Sequence, residues 1–213
     1  MKVYAFSGLG ADQRIFSYLN LEHEIVPIRW ETPLLEETIE SYAVRLAGQI
    51  ETSEPFAMLG VSFGGMLVSE LMDRLSPQHA ILISSAACKY ELPWLASVAQ
   101  RLNLVKHLPT GLFKPPMLGA YIGFPFNKRN RDVARGIIQD TDPGFVKWAV
   151  HAIVNWKKEV PPESFHHIHG RLDPILPWKN RMNAQRVGTG HFIILKNAKE
   201  VSKILNEYLA ARP

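Results

Sequence analysis

Short apolar runs alternate along this chain with segments of helical periodicity, and that alternation leaves few folds open. "KVYAF" (2–6), "EIVPIRW" (24–30), "PFAMLG" (55–60), "HAILIS" (79–84), "SFHHIHG" (164–170) and "AQRV" (184–187) read as strands. Within residues 35–51, Ile39, Tyr42, Ala43, Leu46, Ala47 and Ile50 recur at helix spacing. Residues 65–75 read as a helix directly after the third strand, and residues 198–211 as a closing helix. Strands separated by helices pair in parallel through right-handed crossovers, so an α/β sheet covered on both faces is expected.

Between about residues 90 and 162 this rhythm breaks. The segment carries Trp94, Pro109, Pro115, Pro116, Phe124, Pro125, Phe126, Trp148 and Trp156, with helix-like stretches at 95–108 and 142–159. It is too long for a crossover loop and too apolar for a linker. It reads as a helical insertion (90–162) packed over the ends of the strands, in a core made of residues 1–89 and 163–213. No run is long and apolar enough to span a membrane. The N-terminal apolar stretch is too short for a signal peptide and runs into a glycine loop, and Cys88 is the single cysteine. A cytoplasmic location, a buried thiol and no disulfide framework are therefore expected. Net charge is +4, with six Lys/Arg against eleven Asp/Glu in residues 1–90 and eighteen against nine in residues 91–213. That basic excess is diffuse and matches no nucleic-acid motif, so no nucleic-acid partner is expected.

Gly60-Val61-Ser62-Phe63-Gly64 has the pattern G-x-S-x-G at the point where the third strand gives way to a helix. A tight turn there forces the serine into an unfavourable backbone conformation, costing about 1–3 kcal/mol. Small residues flank it because the turn presses their α-carbons against neighbouring backbone, and Gly65 lets the helix sit close to the sheet. The serine oxygen is lifted clear at the carboxyl end of the strands, where open α/β sheets place ligands. A glycine-rich turn without chemistry accounts for the same residues but predicts nothing elsewhere in the chain.

A nucleophilic serine predicts three further groups. It needs a base, the base needs a carboxylate to fix its tautomer, and the developing oxyanion needs backbone N–H donors. Among eight histidines, His191 alone follows a flexible glycine loop, Gly188-Thr189-Gly190, before the last helix. His166, His167 and His169 lie on one strand. Only His167 and His169 share a face, no cysteine accompanies them, and they read as structural rather than metal-binding. Asp173, after a strand and before Pro174, is the candidate acid. The loop after the first strand, with Gly8 and Gly10, offers the Leu9 N–H, to be paired with that of Phe63 at the start of the helix.

On these residues the chain resembles the α/β-hydrolase fold superfamily, in its serine-esterase-like form with a helical cap. The nucleophile elbow is matched by Gly60-Val61-Ser62-Phe63-Gly64-Gly65 and the order Ser, Asp, His by Ser62, Asp173, His191. The acid loop is matched by His169-Gly170-Arg171-Leu172-Asp173-Pro174-Ile175-Leu176-Pro177, and the terminal Gly-His by Gly190-His191. Three departures stand out. The chain opens on the equivalent of the family's third strand, the gap from Asp173 to His191 is short, and Ser7 occupies the usual histidine position before the first glycine. The first two imply a reduced sheet of about six parallel strands.

The resemblance implies acyl transfer to water from a small to medium apolar ester, thioester or lactone, with neither cofactor nor metal. Carbon–carbon hydrolysis or acyl transfer on the same residues, and a non-hydrolytic ligand-binding role, are the alternatives it leaves open. The basic cluster Lys128, Arg129, Arg131 and Arg135 suggests an acyl carrier as a further partner.

Overall fold

The computed structural model describes residues 1–113, 136–137, 139–179 and 183–211. Six strands are present among them: β1 (Lys2–Phe6), β2 (Glu24–Pro27), β3 (Phe56–Val61), β4 (His79–Ile83), β5 (His166–Arg171) and β6 (Gln185–Thr189). They form one sheet in the order β2-β1-β3-β4-β5-β6, and every pairing is parallel. The expected six-stranded parallel sheet is therefore the observed one. All six expected strands are found, with ends shifted by up to three residues. The largest shift is in β2, which ends at Pro27 on the edge of the sheet, where a missing N–H is tolerated.

Alternation along the strands buries both faces. Tyr4, Phe6, Met58, Ala80 and Leu82 pack against α1 (Ile39–Leu46) and α2 (Phe63–Leu71). Val3, Ala5, Leu59, Ile81, Ile83 and Ile168 face the closing helices on the other side. There, Val201, Ile204, Leu205 and Leu209 are the buried stripe of the last helix, Ala198–Ala210. Helix α1 starts at Ile39, the first residue of its apolar spacing, and not at residue 35, where the helical segment is expected to begin. Thr38 and Ser41 exchange hydrogen bonds in a reciprocal cap, and this stops the helix from extending back to residue 35. Helix α2 starts two residues early, because Gly64 is part of its first turn.

Strand β1 lies between β2 and β3, so the chain turns one way after β1 and the other way after β3. The loops leaving the carboxyl ends of these two strands border a crevice at a topological switch point. Between β5 and β6 the described residues hold no helix, in line with the short Asp173–His191 gap.

The segment that interrupts the β/α rhythm contains α3 (Trp94–Arg101), α4 (Leu104–His107) and α5 (Pro143–Val154). Asp142 caps α5, accepting from the Gly144 and Phe145 N–H groups, and Pro143 takes the first helical position. Ala149, Ala152 and Trp156 belong to the same buried cluster as α1 and α2. The Trp156 indole N–H donates to Glu70 of α2 at 2.5 Å. The carboxyl end of the segment is thus a wall of the core. The Lys128, Arg129, Arg131 and Arg135 cluster lies outside the described residues. Among the described residues no helix is long and apolar enough to cross a membrane. Cys88 is buried.

Candidate active site

Ser62 caps α2 with φ 52° and ψ −119°, a positive φ that L-residues rarely adopt. Hydrogen bonds to its backbone hold it there. Its N–H donates to Ile83 O at 2.9 Å, and its carbonyl accepts from the Gly65 N–H at 2.9 Å and the Ser85 hydroxyl at 2.6 Å. The flanking glycines are needed for close approach. A Cβ on Gly60 would lie 2.4 Å from Gly65 Cα, and one on Gly64 would lie 2.3 Å from the carbonyl oxygens of both Phe6 and Ser7. These contacts are to backbone and cannot be relieved by a rotamer change.

That packing makes a stability prediction. Gly64→Ala should cost about 3 kcal/mol and lower the unfolding midpoint by about 6–12 °C. Gly48→Ala, where a Cβ meets nothing within 4 Å, should leave the midpoint unchanged or raise it by about 2 °C. Calorimetry of the two variants beside the unsubstituted protein checks this; equal midpoints would disprove the tight-turn account.

The three residues singled out from the sequence are brought together. His191 Nε2 is 2.9 Å from Ser62 Oγ, and His191 Nδ1 is 2.7 Å from Asp173 Oδ2. The other Asp173 oxygen accepts from the Ile175 and Leu176 N–H groups at 2.8 and 3.0 Å. Asp173 and His191 are both buried. Burial alone would raise the Asp173 pKa. The hydrogen bond and charge of His191, with the two backbone donors, more than offset it and hold the carboxyl below its ordinary value. The loops that carry Asp173 and His191 interlock through glycine. A Cβ on Gly170 would fall 1.8 Å from the Gly190 carbonyl, and the Gly190 N–H donates to Arg171 O at 2.7 Å. Gly188 and Gly190 both carry positive φ.

The loop after β1 lies against the serine. A Cβ on Gly8 would sit 3.3 Å from Ser62 Cβ and 4.0 Å from its Oγ. Among the described residues neither the Leu9 nor the Phe63 N–H has a hydrogen-bond partner. Ser7, which stands where the resembled family has histidine, ties the loop by donating to Ala11 O at 3.0 Å. The Trp30 indole N–H donates to the same carbonyl at 3.1 Å, and the Ala11 N–H closes back on Gly8 O at 3.0 Å. The Trp30 ring also packs on Phe63, with centroids 5.8 Å apart. One side chain thus touches both segments that carry the candidate N–H donors.

Sequence reasoning missed four contributors. Trp30 closes the expected strand 24–30, and nothing in the local pattern marks Ser85. Ser7 was visible only as a departure. His169 Nε2 donates to Leu176 O at 2.8 Å and lies 3.5 Å from Asp173 Oδ2. It is buried, which keeps its pKa below normal, so it is neutral and donates to that carbonyl, bracing the acid loop. His167 is pushed down to about 3 by burial. Among the described residues no three His, Cys, Asp or Glu side chains are grouped to hold a metal.

A cavity of about 240 Å³ opens beside Gly10 and Ala11, walled by Trp30, Ile137 and Phe145. Asp12, Glu31, Asp140 and Asp142 also line it. Ser62 and His191 are not among its walls.

No protein-family model matches the chain, and no curated protein matches it. Solved structures do. A carboxylesterase from the thaumarchaeon Nitrososphaera gargenis superposes with a TM-score of 0.75 at 15% identity, over 98% of this chain and 89% of that one. An esterase from Exiguobacterium antarcticum gives 0.73 at 15% identity, covering 99% and 92%. The enol-lactonase from Burkholderia xenovorans LB400 gives 0.73 at 17% identity, covering 99% and 91%.

Proposed function

The chain has the α/β-hydrolase fold, and on that premise we propose that it is a serine hydrolase of carboxylic esters, with thioesters and lactones as further substrates. The continuous hydrogen-bonded line from Ser62 Oγ through His191 to Asp173 carries this reading. Esterase and lactonase neighbours of the same fold support the bond type.

In this mechanism Ser62 Oγ attacks the carbonyl carbon while His191 Nε2 takes its proton. Asp173 holds the Nδ1 proton of His191 and stabilises the imidazolium that forms. The oxyanion is received by the Leu9 and Phe63 N–H groups, aided by the positive end of α2. The tetrahedral intermediate collapses, and His191 returns the proton to the leaving alcohol. Water, deprotonated by His191, then releases the acid and regenerates Ser62. Residues 90–162 act as the cap that shapes the acyl or alcohol pocket. The test is hydrolysis of p-nitrophenyl esters of increasing acyl length, together with covalent labelling by a fluorophosphonate. Turnover of a short ester with labelling at Ser62 is the expected result; a folded, monodisperse protein that does neither refutes the proposal.

The anchoring of the oxyanion loop makes a second expectation. Trp30→Phe keeps the aromatic packing on Phe63 and removes the N–H to Ala11 O. It should lower kcat about tenfold with KM nearly unchanged, because one donor loses its preset position. Steady-state kinetics on a single ester checks the split; a raised KM at constant kcat would assign Trp30 to substrate binding instead.

A further inference from the structure

Helix α3 is inverted relative to an ordinary surface helix. It has no buried residue. Its small residue Ala96 turns inward and packs against the core cluster, while its large apolar residues face solvent. Trp94, Val98 and Leu102 follow one another at intervals of four, on a single stripe, with Leu95 beside it. Trp94 is 71% exposed and Leu102 61%. Leu104, Leu108 and Leu112 extend the exposed apolar surface through α4 and the turn after it. Solvated helices put such residues inside, and contiguous exposed apolar patches mark surfaces that are covered in use.

Charge identifies what covers this one. The described residues 92–113 contain Arg101 and Lys106 and no Asp or Glu. Within the described part, Arg101, Lys106 and His107 are exposed at the ends of α3 and α4. Lys147 of α5 joins them, its Nζ donating to Lys106 O at 3.3 Å. The carboxylate preceding the stretch, Glu91, is buried and accepts from the Ala87 N–H at 2.6 Å. A tryptophan and leucines rimmed by cations and free of carboxylates match an anionic, fluid apolar surface. Such a surface needs neither shape complementarity nor directional hydrogen bonds.

The segment follows the carboxyl end of β4, the end of the sheet where Ser62 lies. Lys179, in the loop beyond Asp173, bonds the carbonyls of Tyr90 and Leu92 just before α3. We infer that α3 and α4 are a membrane-surface docking element that places the protein on anionic phospholipid with its candidate site on the docked side.

The experiment is co-sedimentation of the full chain with vesicles of phosphatidylcholine and phosphatidylglycerol, against phosphatidylcholine alone. Expected is about tenfold tighter binding to the anionic vesicles, weakened by high salt. The double variant Trp94→Ser, Leu102→Ser should lose at least about tenfold in binding, and Arg101→Glu with Lys106→Glu should abolish the preference for phosphatidylglycerol. Leu35→Ser, at an exposed leucine elsewhere, should bind as the unsubstituted protein does. All three changes are on the surface, and an unaltered unfolding midpoint verifies that each variant folds. No binding, equal binding to both vesicles, or binding untouched by the α3 variants overturns the inference. So does a dimer in gel filtration that the Trp94→Ser, Leu102→Ser variant dissociates, since a second copy then covers the face. Sedimentation reads binding alone, so its failure and a failure of ester hydrolysis are independent results.

Discussion

Replacing Ser62 by alanine is expected to lower kcat for a p-nitrophenyl ester by about 10⁵- to 10⁶-fold, with the unfolding midpoint unchanged. The loss is this large because no neighbouring group replaces the nucleophile. Ser85 is the adjacent hydroxyl, but its proton is committed to Ser62 O at 2.6 Å. Stability is expected to hold because the turn depends on backbone. The bonds from Ser62 N–H to Ile83 O, and from Gly65 N–H and Ser85 Oγ to Ser62 O, do not use the hydroxyl that is removed. Alanine suffers the same positive φ as serine, so the strain neither grows nor is released. Residual catalysis above water should come from the oxyanion donors and binding alone. Fluorophosphonate labelling should vanish with the hydroxyl. Label that persists on another residue would place the nucleophile elsewhere.

Asp173→Asn should lower kcat about 10³- to 10⁴-fold at neutral pH with the surrounding geometry kept. Its Oδ1 can still accept from the Ile175 and Leu176 N–H groups, so the loop remains formed. What is lost is the charge facing His191 Nδ1 at 2.7 Å. An amide there no longer fixes the tautomer with its proton on Nδ1, nor stabilises the imidazolium in the transition state. The same substitution has a signature in stability. The Asp173 pKa is lowered in the folded protein from an ordinary value of 3.8. Its ionisation therefore stabilises the fold above that pH, and the contribution is lost as the pH falls through the lower, folded value. The stability gap between the unsubstituted protein and Asp173→Asn should be constant at neutral pH and shrink below about pH 4. Denaturant unfolding across that range measures it. A gap that does not narrow would mean that the carboxylate is not the ionised partner of His191.

The elements legible in the sequence were those with strong local signals. The apolar runs of β3 and β4, and the apolar stripe of the closing helix, lie within a residue or two of where their patterns placed them. Ser62, Asp173 and His191 were legible because each stands in a glycine-marked loop at a strand end, although 129 residues separate the serine from the histidine. Element boundaries were less legible where side-chain capping decided them, as at Thr38. The four carboxylates in the wall of the cavity beside Gly10 follow no local pattern, because a cavity wall is a handful of side chains selected by packing.

By itself the sequence determined the strand and helix periodicity, the sheet those elements must form, and the three groups with their glycine-rich turns. These are properties of nearby residues, set by backbone sterics and the period of burial. Only the tertiary structure decided how the loop after β1 is held, through Ser7 and Trp30 meeting at one carbonyl, and how His169 and Ser85 brace the Asp173 loop and the Ser62 turn. It also decided that α3 turns its alanine inward and its tryptophan outward. Those outcomes depend on which distant surfaces meet, and hydrogen bonds and van der Waals contacts act only over a few ångströms. No local pattern specifies them until the sheet has brought the loops together.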